Sequence, residues 1–497
     1  MRKKIKSATA AVCVASLMGC SMSMAPENSA PVSMQDRAYP AVSSSQAEMP
    51  AAPRQPEAMT FKHYGTNPFI STDEDNLSTF AADVDTGSYS IMRQYIREGN
   101  LPPADAVRVE EYIHYFSPNY PAPRDQTFAI QVDGGPSPFG SGYELVRIGI
   151  KGKEIPAVDR KPARLVFVID VSGSMEQENR LELVKKSLRI LVDQLQPSDT
   201  VGIVVYGSTG EVILDPTSVE DKKKILASID RLVPGGSTNA EEGLMLGYEM
   251  ASRTFDKQAI NRVILCSDGV ANVGETGPDG ILRSIEDYAR KDIYLSTFGF
   301  GMGNYNDVLM EQLANKGEGN YAYIDSFSEA RRIFTEALTG TLQTIARDVK
   351  IQVEFDPQKV ERYRLLGYEN RDVRDEDFRN DAKDAGEIGA GHAVTALYEV
   401  KLKTEQKTDL GTVRVRYHDV AANQVEEVSQ PVQIHSELSQ ELQFLATVAE
   451  FAEILRESYW AKDSSLEQVL ASAEATAQGE QQLEFVRLVK DSLVIKR

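Results

Sequence analysis

The chain has 497 residues, 41% hydrophobic and 26% charged, with a net charge of −20 and a pI near 4.9. That length suits about two to four domains with an ample core, in an ordinary globular composition. The acidic balance argues against a nucleic-acid partner, because binding phosphate needs a basic patch and no block of Lys or Arg follows the first few residues.

Taken in chain order, Arg2, Lys3, Lys4 and Lys6 form a positive start, and Ala8 to Met18 an apolar stretch too short to span a bilayer. This reads as a targeting segment. Residues 21–60 are rich in Ser, Met, Ala, Pro and Gln and poor in aromatics, which predicts a disordered tether reaching about 35 Å. Residues 61–158 follow as an N-terminal flanking unit. A helix is expected over Tyr89–Glu98, capped by the polar turn Asp83-Val-Asp85-Thr86-Gly87-Ser88. That turn superficially looks like a metal loop, but its spacing fits neither D-x-S-x-S nor an EF-hand. Val109 to Phe116 reads as helix, and Phe128–Val132 and Glu144–Lys151 as strands.

Residues 159–342 alternate apolar runs of strand length with helical patterns, which predicts a parallel sheet with helices on both faces. Leu165 to Ile169 is followed by Asp170-Val-Ser172-Gly-Ser174, and Leu181, Val184, Leu188, Leu191, Val192 and Leu195 then recur at helical spacing. Val201 to Tyr206, Arg262–Ser267, Ile293–Phe298 and Tyr321–Ile324 read as further strands. Ser218 and Asp221 open a helix in a capping-box-like arrangement. From Arg347 the period drops to two: Val349, Ile351, Val353 and Phe355 alternate with polar residues, as do Ala396 to Leu402 and Val413 to Tyr417. These are half-buried antiparallel strands of a β-rich unit over 343–435. The N-terminal side holds too few strands for a stable sheet of its own, so strands of both flanks are expected to join in one β-sandwich. Residues 436–497 return to helix: Leu438, Leu442, Leu445, Val448, Phe451 and Leu455 share one face, Trp460 ends that helix, Ser464 with Glu467 caps the next, and Leu483, Val486, Leu488 and Leu493 mark a third. Their apolar faces read as core.

In an open α/β sheet, ligands bind where the carboxyl ends of strands meet their loops. Asp170, Ser172 and Ser174 present oxygen at one such mouth. Thr238, in Gly235-Gly-Ser-Thr238-Asn, and Asp268, in Leu265-Cys-Ser-Asp268-Gly269, lie on later loops. Oxygen donors suit a hard divalent cation and not a soft metal. Here the chain resembles the von Willebrand factor type A domain, whose metal-ion-dependent adhesion site is built from D-x-S-x-S, a Thr and an Asp in this order. Asp170, Ser172, Ser174, Thr238 and Asp268 match all five positions. The resemblance implies a site for Mg²⁺, with Mn²⁺ or Ca²⁺ as alternatives, whose exchangeable water yields to an Asp or Glu carboxylate of a protein partner. The acidic background repels such a partner at range, but screening at about 8 Å leaves the local cation dominant at contact.

Leu17-Met18-Gly19-Cys20 resembles a bacterial lipobox, implying removal of residues 1–19, lipid attachment at Cys20, and residues 20–60 as tether. Ser21 after it favours the outer membrane of a Gram-negative bacterium, facing either the periplasm or the exterior. Removing four positive charges and no acid from −20 leaves the mature chain at −24. Cys13 departs with the segment and Cys20 is acylated, so Cys266 alone remains and no intrachain disulfide forms. Cys266 lies in an apolar strand and reads as a small buried hydrophobe. Both flanks resemble those of bacterial envelope lipoproteins carrying this domain, to which the resemblance assigns no chemistry.

Catalysis is not expected. His63, His114, His392, His418 and His435 are scattered, no Gly-x-Ser-x-Gly or Walker run occurs, and no base accompanies Ser172 or Ser174. Against partner capture through a cation stand a structural scaffold with a merely stabilising metal and an accessory subunit of an envelope complex.

Overall fold

The computed structural model describes residues 59–496 apart from 117, 119, 270–276, 304 and 406. The targeting segment, Cys20 and the tether up to residue 58 lie outside these.

Among the described residues, the apolar runs of 159–342 assemble a six-stranded sheet. Its spatial order is Tyr321–Ile324, Tyr294–Phe300, Ile260–Ser267, Ala163–Asp170, Thr200–Tyr206 and Gly210–Ser218. The first five are parallel and Gly210–Ser218 closes one edge antiparallel. Helices on both faces require strands apolar on both sides. Leu165, Phe167 and Ile169 pack with Leu181, Val184 and Leu188 of helix Arg180–Gln194, while Val166 and Val168 pack with Leu244 and Tyr248 of helix Ala240–Arg253. The edge strand escapes a search for apolar runs because only one side of it is covered. It also splits the expected capping box. Ser218 accepts from the Glu220 N–H at the start of a short 3₁₀ turn, and Asp221 accepts from the Lys224 N–H to open helix Lys222–Asp230.

Strands from the two flanks interleave. One antiparallel sheet runs Ile70–Ser71, Val360–Leu366, Ala393–Leu402, Glu144–Gly152, Phe128–Pro136. The other runs Gly386–Gly389, Thr344–Phe355, Gly411–Asp419, Gln424–Val432, with Leu77–Ala81 paired to Thr344–Phe355. Val146, Ile148 and Ile150 of the first share a core with Ile351, Val353 and Val415 of the second. All six are fully buried, each contributing about 1.5–3 kcal/mol over exposure. The two flanks are thus one sandwich into which the parallel-sheet region is inserted.

The Asp83–Ser88 turn does not cap its helix as the sequence suggests. The helix is Gly87–Arg97, Thr86 at its N-cap makes no side-chain capping bond, and the Glu111 Oε2 accepts from the Ser88 N–H at 2.7 Å. Asp83 and Asp85 turn inward to Arg371, at 3.3 and 3.4 Å. A buried carboxylate needs a cation, and this one comes from the turn after strand Val360–Leu366, far along the chain.

Helices Gln440–Leu455, Leu466–Thr476 and Gly479–Ile495 close over the N-terminal helices, where Phe116 meets Phe444 and Phe485 edge-on at centroid distances of 5.1 and 5.6 Å. The capping box of the second helix is Ser465 with Gln468, one residue beyond the expected pair. Trp460 lies past the first helix in the 3₁₀ turn Tyr459–Ala461, 38% exposed, its Nε1–H donating to the Asn67 carbonyl at 3.0 Å. It is a surface clasp rather than core.

Candidate metal centre

In the parallel sheet the chain leaves Ala163–Asp170 toward one edge, through Thr200–Tyr206, and reaches the other edge through Ile260–Ser267. The crevice between Ala163–Asp170 and Ile260–Ser267 is therefore the topological switch point, where an open α/β sheet binds its ligand. Asp170 ends the first strand and Asp268 follows the second.

The turn after Asp170 is held by its own polar groups. The Ser172 N–H donates to Asp170 Oδ1 at 2.8 Å, Ser267 Oγ–H donates to Asp170 Oδ2 at 3.0 Å, and the Ser172 and Ser174 hydroxyls lie 3.0 Å apart. Backbone bonds fasten the Thr238 loop to this turn. Gly235 N–H donates to the Val171 carbonyl at 2.6 Å, and Gly173 N–H to the Gly236 carbonyl at 3.1 Å. Gly236 has φ +91°, and a Cβ there would crowd Ser208, so the close approach depends on glycine. Thr238 is half-buried two residues on. Asp170, Ser172 and Asp268 are buried, and Ser174 is half-buried. All five residues singled out by the sequence thus sit at a strand end or on loops at one end of the sheet.

Burial first, and the charge of Asp268 second, push the Asp170 carboxyl up to about 6. A cation placed between the loops removes both causes, because it solvates the buried carboxylate and separates two like charges. Every donor here is oxygen, with two carboxylates and three hydroxyls, which matches a hard divalent ion. The residues present fit such an ion.

Two further residues hold the centre. Ser267 directly precedes Asp268, so a hydroxyl beside the second carboxylate is legible in the sequence. Arg180 stands one residue before Leu181, the first of the apolar residues at helical spacing. Its Nη1 donates to Asp268 Oδ2 at 2.7 Å and its Nη2 to the Met302 carbonyl. No short-range pattern pairs residues 88 positions apart.

Among the described residues, no histidine is hydrogen-bonded to Ser172 or Ser174. His63 sits on Asp105 at 2.7 Å, and His114 Nε2 accepts from the Thr395 N–H at 3.2 Å. Glu318, Asp384 and Glu387 bring carboxylate oxygens within 4.8 Å of one another. Glu318 precedes strand Tyr321–Ile324 and so lies at the opposite end of the sheet from Asp170. Cys266 is buried, and burial pushes its thiol up.

The parallel sheet and the three loops at its switch point define a von Willebrand factor type A domain protein, and the family model of that domain matches residues 165–336. A model described as von Willebrand factor matches 55–147, and one for the C-terminal part of uncharacterized protein YfbK matches 340–494. The chain belongs to the family of the Escherichia coli (strain K12) protein described as uncharacterized protein YfbK. It is 35% identical to that protein over 467 residues, covering 88% of this chain and 81% of the relative. It is also 25% identical over 296 residues to uncharacterized protein sll0103 of Synechocystis sp., covering 58% of this chain and 69% of that one. A solved structure, von Willebrand factor type A from Catenulispora acidiphila, aligns with a TM-score of 0.44 at 15% identity over 73% of this chain and 89% of that one.

Proposed function

We propose that the protein is an envelope-anchored lipoprotein that captures a protein partner through a divalent cation held by Asp170, Ser172, Ser174, Thr238 and Asp268. The observation that carries this reading is the meeting of two carboxylates and a hydroxyl turn at the switch point, with no histidine hydrogen-bonded to those hydroxyls among the described residues. Mg²⁺ is the best match, because a small octahedral ion held by so few charges retains water that another oxygen can replace. The group that replaces it is an Asp or Glu carboxylate of the partner. Von Willebrand factor type A domains often bind partners in this way, which supports the reading. The lipid on Cys20 anchors the chain in the outer membrane of a Gram-negative bacterium, with residues 20–60 as tether and the folded part facing the periplasm or the exterior. No catalytic step belongs to this function.

The test is capture from envelope extract by wild type and Asp170→Ala, each in Mg²⁺ and in EDTA. Capture lost in the variant and in EDTA, with the fold intact by circular dichroism, supports cation-mediated binding. Recovery of the same partners in all four conditions sinks it. A second reading, a scaffold or accessory subunit in which the metal only stabilises, draws on the buried ion pairs that lock the flanks to the A domain, Arg93–Asp325 at 2.6 Å and Arg108–Asp307 at 2.7 Å. It requires that a chelator lower the melting temperature while capture is unchanged.

A further inference from the structure

A second concave site lies at the end of the parallel sheet away from Asp170, where strands Ile260–Ser267 and Tyr294–Phe300 begin. The chain crosses into the A domain after strand Glu144–Gly152 and leaves it at strand Thr344–Phe355, and the two crossings wall a cavity of about 310 Å³. That is the small end of the ligand-pocket range, about 300–1,000 Å³. Four cations line it. Lys153 and Lys161 stand on the way in, Arg347 on the way out, and Lys257 in the turn before Ile260. Asp292 is the one acid among the described residues that line it. Two of the cations already face acids: Lys153 is 3.7 Å from Asp419, and Arg347 is 3.8 Å from Asp292. The side-chain nitrogens of Lys161 and Lys257 have neither hydrogen bond nor ion pair among the described residues.

The wall behind this cavity is also positive. Arg262 is 1% exposed, and its Nη2 donates to the Leu342 carbonyl at 3.3 Å and to Thr344 Oγ1 at 3.4 Å, both residues of the lining. Its other terminal nitrogen donates to Ser296 Oγ at 2.6 Å, and its Nε has no partner. No carboxylate among the described residues lies within ion-pair distance of it, and Glu387, which acts on it from further away, is itself pushed up by burial. A cleft with like charges on low-dielectric walls focuses its field outward, here in a chain whose net charge is −20. We propose that this cavity binds a small phosphate-bearing anion of at least two negative charges, with Lys161 and Lys257 as its direct contacts. A monoanion would answer only one of the two lysines. Ammonium groups meet phosphate oxygens as point charges. Planar carboxylates favour an arginine fork, and the arginine of the lining is turned to Asp292.

Sodium pyrophosphate is titrated calorimetrically into the full chain at low salt, after the protein has passed over a chelating resin so that no cation at Asp170 can take the phosphate. Wild type is expected to bind it, and the double variant Lys161→Gln, Lys257→Gln about tenfold more weakly. Both lysines are exposed, so their exchange leaves the core alone. Asp292→Asn removes the acid from the lining and is expected to bind about threefold more tightly. Asparagine tolerates the left-handed φ of +59° there and keeps an oxygen for the Tyr294 hydroxyl, now at 3.1 Å. A gain of affinity cannot come from misfolding. Citrate, a tricarboxylate, is expected to bind wild type more weakly than pyrophosphate does. Wild type that binds no pyrophosphate, a double variant that binds it as tightly as wild type, or an Asp292→Asn that gains nothing overturns the site. Citrate bound as tightly as pyrophosphate overturns the choice of phosphate.

Discussion

The Arg93 guanidinium meets both carboxylate oxygens of Asp325 at 2.6 Å, Nε on Oδ2 and Nη2 on Oδ1. Arg93 comes from the N-terminal flank and Asp325 follows the last strand of the parallel sheet, and both side chains are essentially unexposed. Glu329 adds a second carboxylate to the same guanidinium at 2.9 Å. Removing one member of a buried pair strands the other's charge at about 3–5 kcal/mol. Arg93→Ala should lower unfolding free energy by that order in urea titration, reduced somewhat because Arg97 also reaches Asp325 at 3.0 Å. A loss under about 1 kcal/mol would mean that the pair does not hold the flank to the A domain.

Metal should stabilise the fold only through the centre. At a hundredfold excess over its dissociation constant, Mg²⁺ is expected to add about 2.7 kcal/mol to wild type and nothing to Asp170→Asn. In EDTA the order changes. Asp170 is a buried acid facing Asp268, so the amide should be at least as stable as the wild type there. Calorimetric melting of both proteins in Mg²⁺ and in EDTA checks this, and equal Mg²⁺ shifts in the two would refute it.

Glu110 is buried, and burial first, then the charge of Glu369, raise its carboxyl from 4.5 to about 8. The folded state therefore holds a proton that the unfolded chain releases above about 4.5. Its contribution to stability is full below that pH and is lost as pH rises through 8. His114 has the opposite sign. Burial lowers it from 6.5 to about 4, so its contribution is present above 6.5 and lost as pH falls through 4. Glu110→Gln, which keeps an acceptor for the Tyr368 N–H now at 3.0 Å, should flatten the decline in melting temperature between pH 5 and 8 relative to wild type. Parallel pH profiles for the two proteins would contradict the assignment.

Cysteine counting separates the anchored from the unprocessed chain. Cys266 is 1% exposed and its thiol is raised by burial, so the folded protein should be silent to an aromatic disulfide reagent over minutes. In denaturant the mature lipoprotein should release one equivalent and an unprocessed chain three, matching the cysteines in the sequence. Cys20→Ser should abolish incorporation of labelled palmitate and release the protein from the membrane fraction.

The A domain and the turns of its candidate centre could be read from residue order because their information is local. A strand buried on both faces is a continuous apolar run, as in Leu165 to Ile169, and the donors of the centre stand at strand ends in short polar turns. The joining of the flanks also followed from a local count, since too few strands precede the A domain to close a sheet. What period and spacing do not carry is the identity of a distant partner. Which flank strands pair, why Asp83 and Asp85 turn inward to Arg371 instead of capping a helix, and that Arg180 reaches Asp268 were all decided by packing. A buried charge accepts any well-placed opposite charge, and only the folded chain determines which one arrives. Trp460 shows the same limit from the apolar side: hydrophobic periodicity says which residues can be buried, and the space left by neighbouring elements says which are.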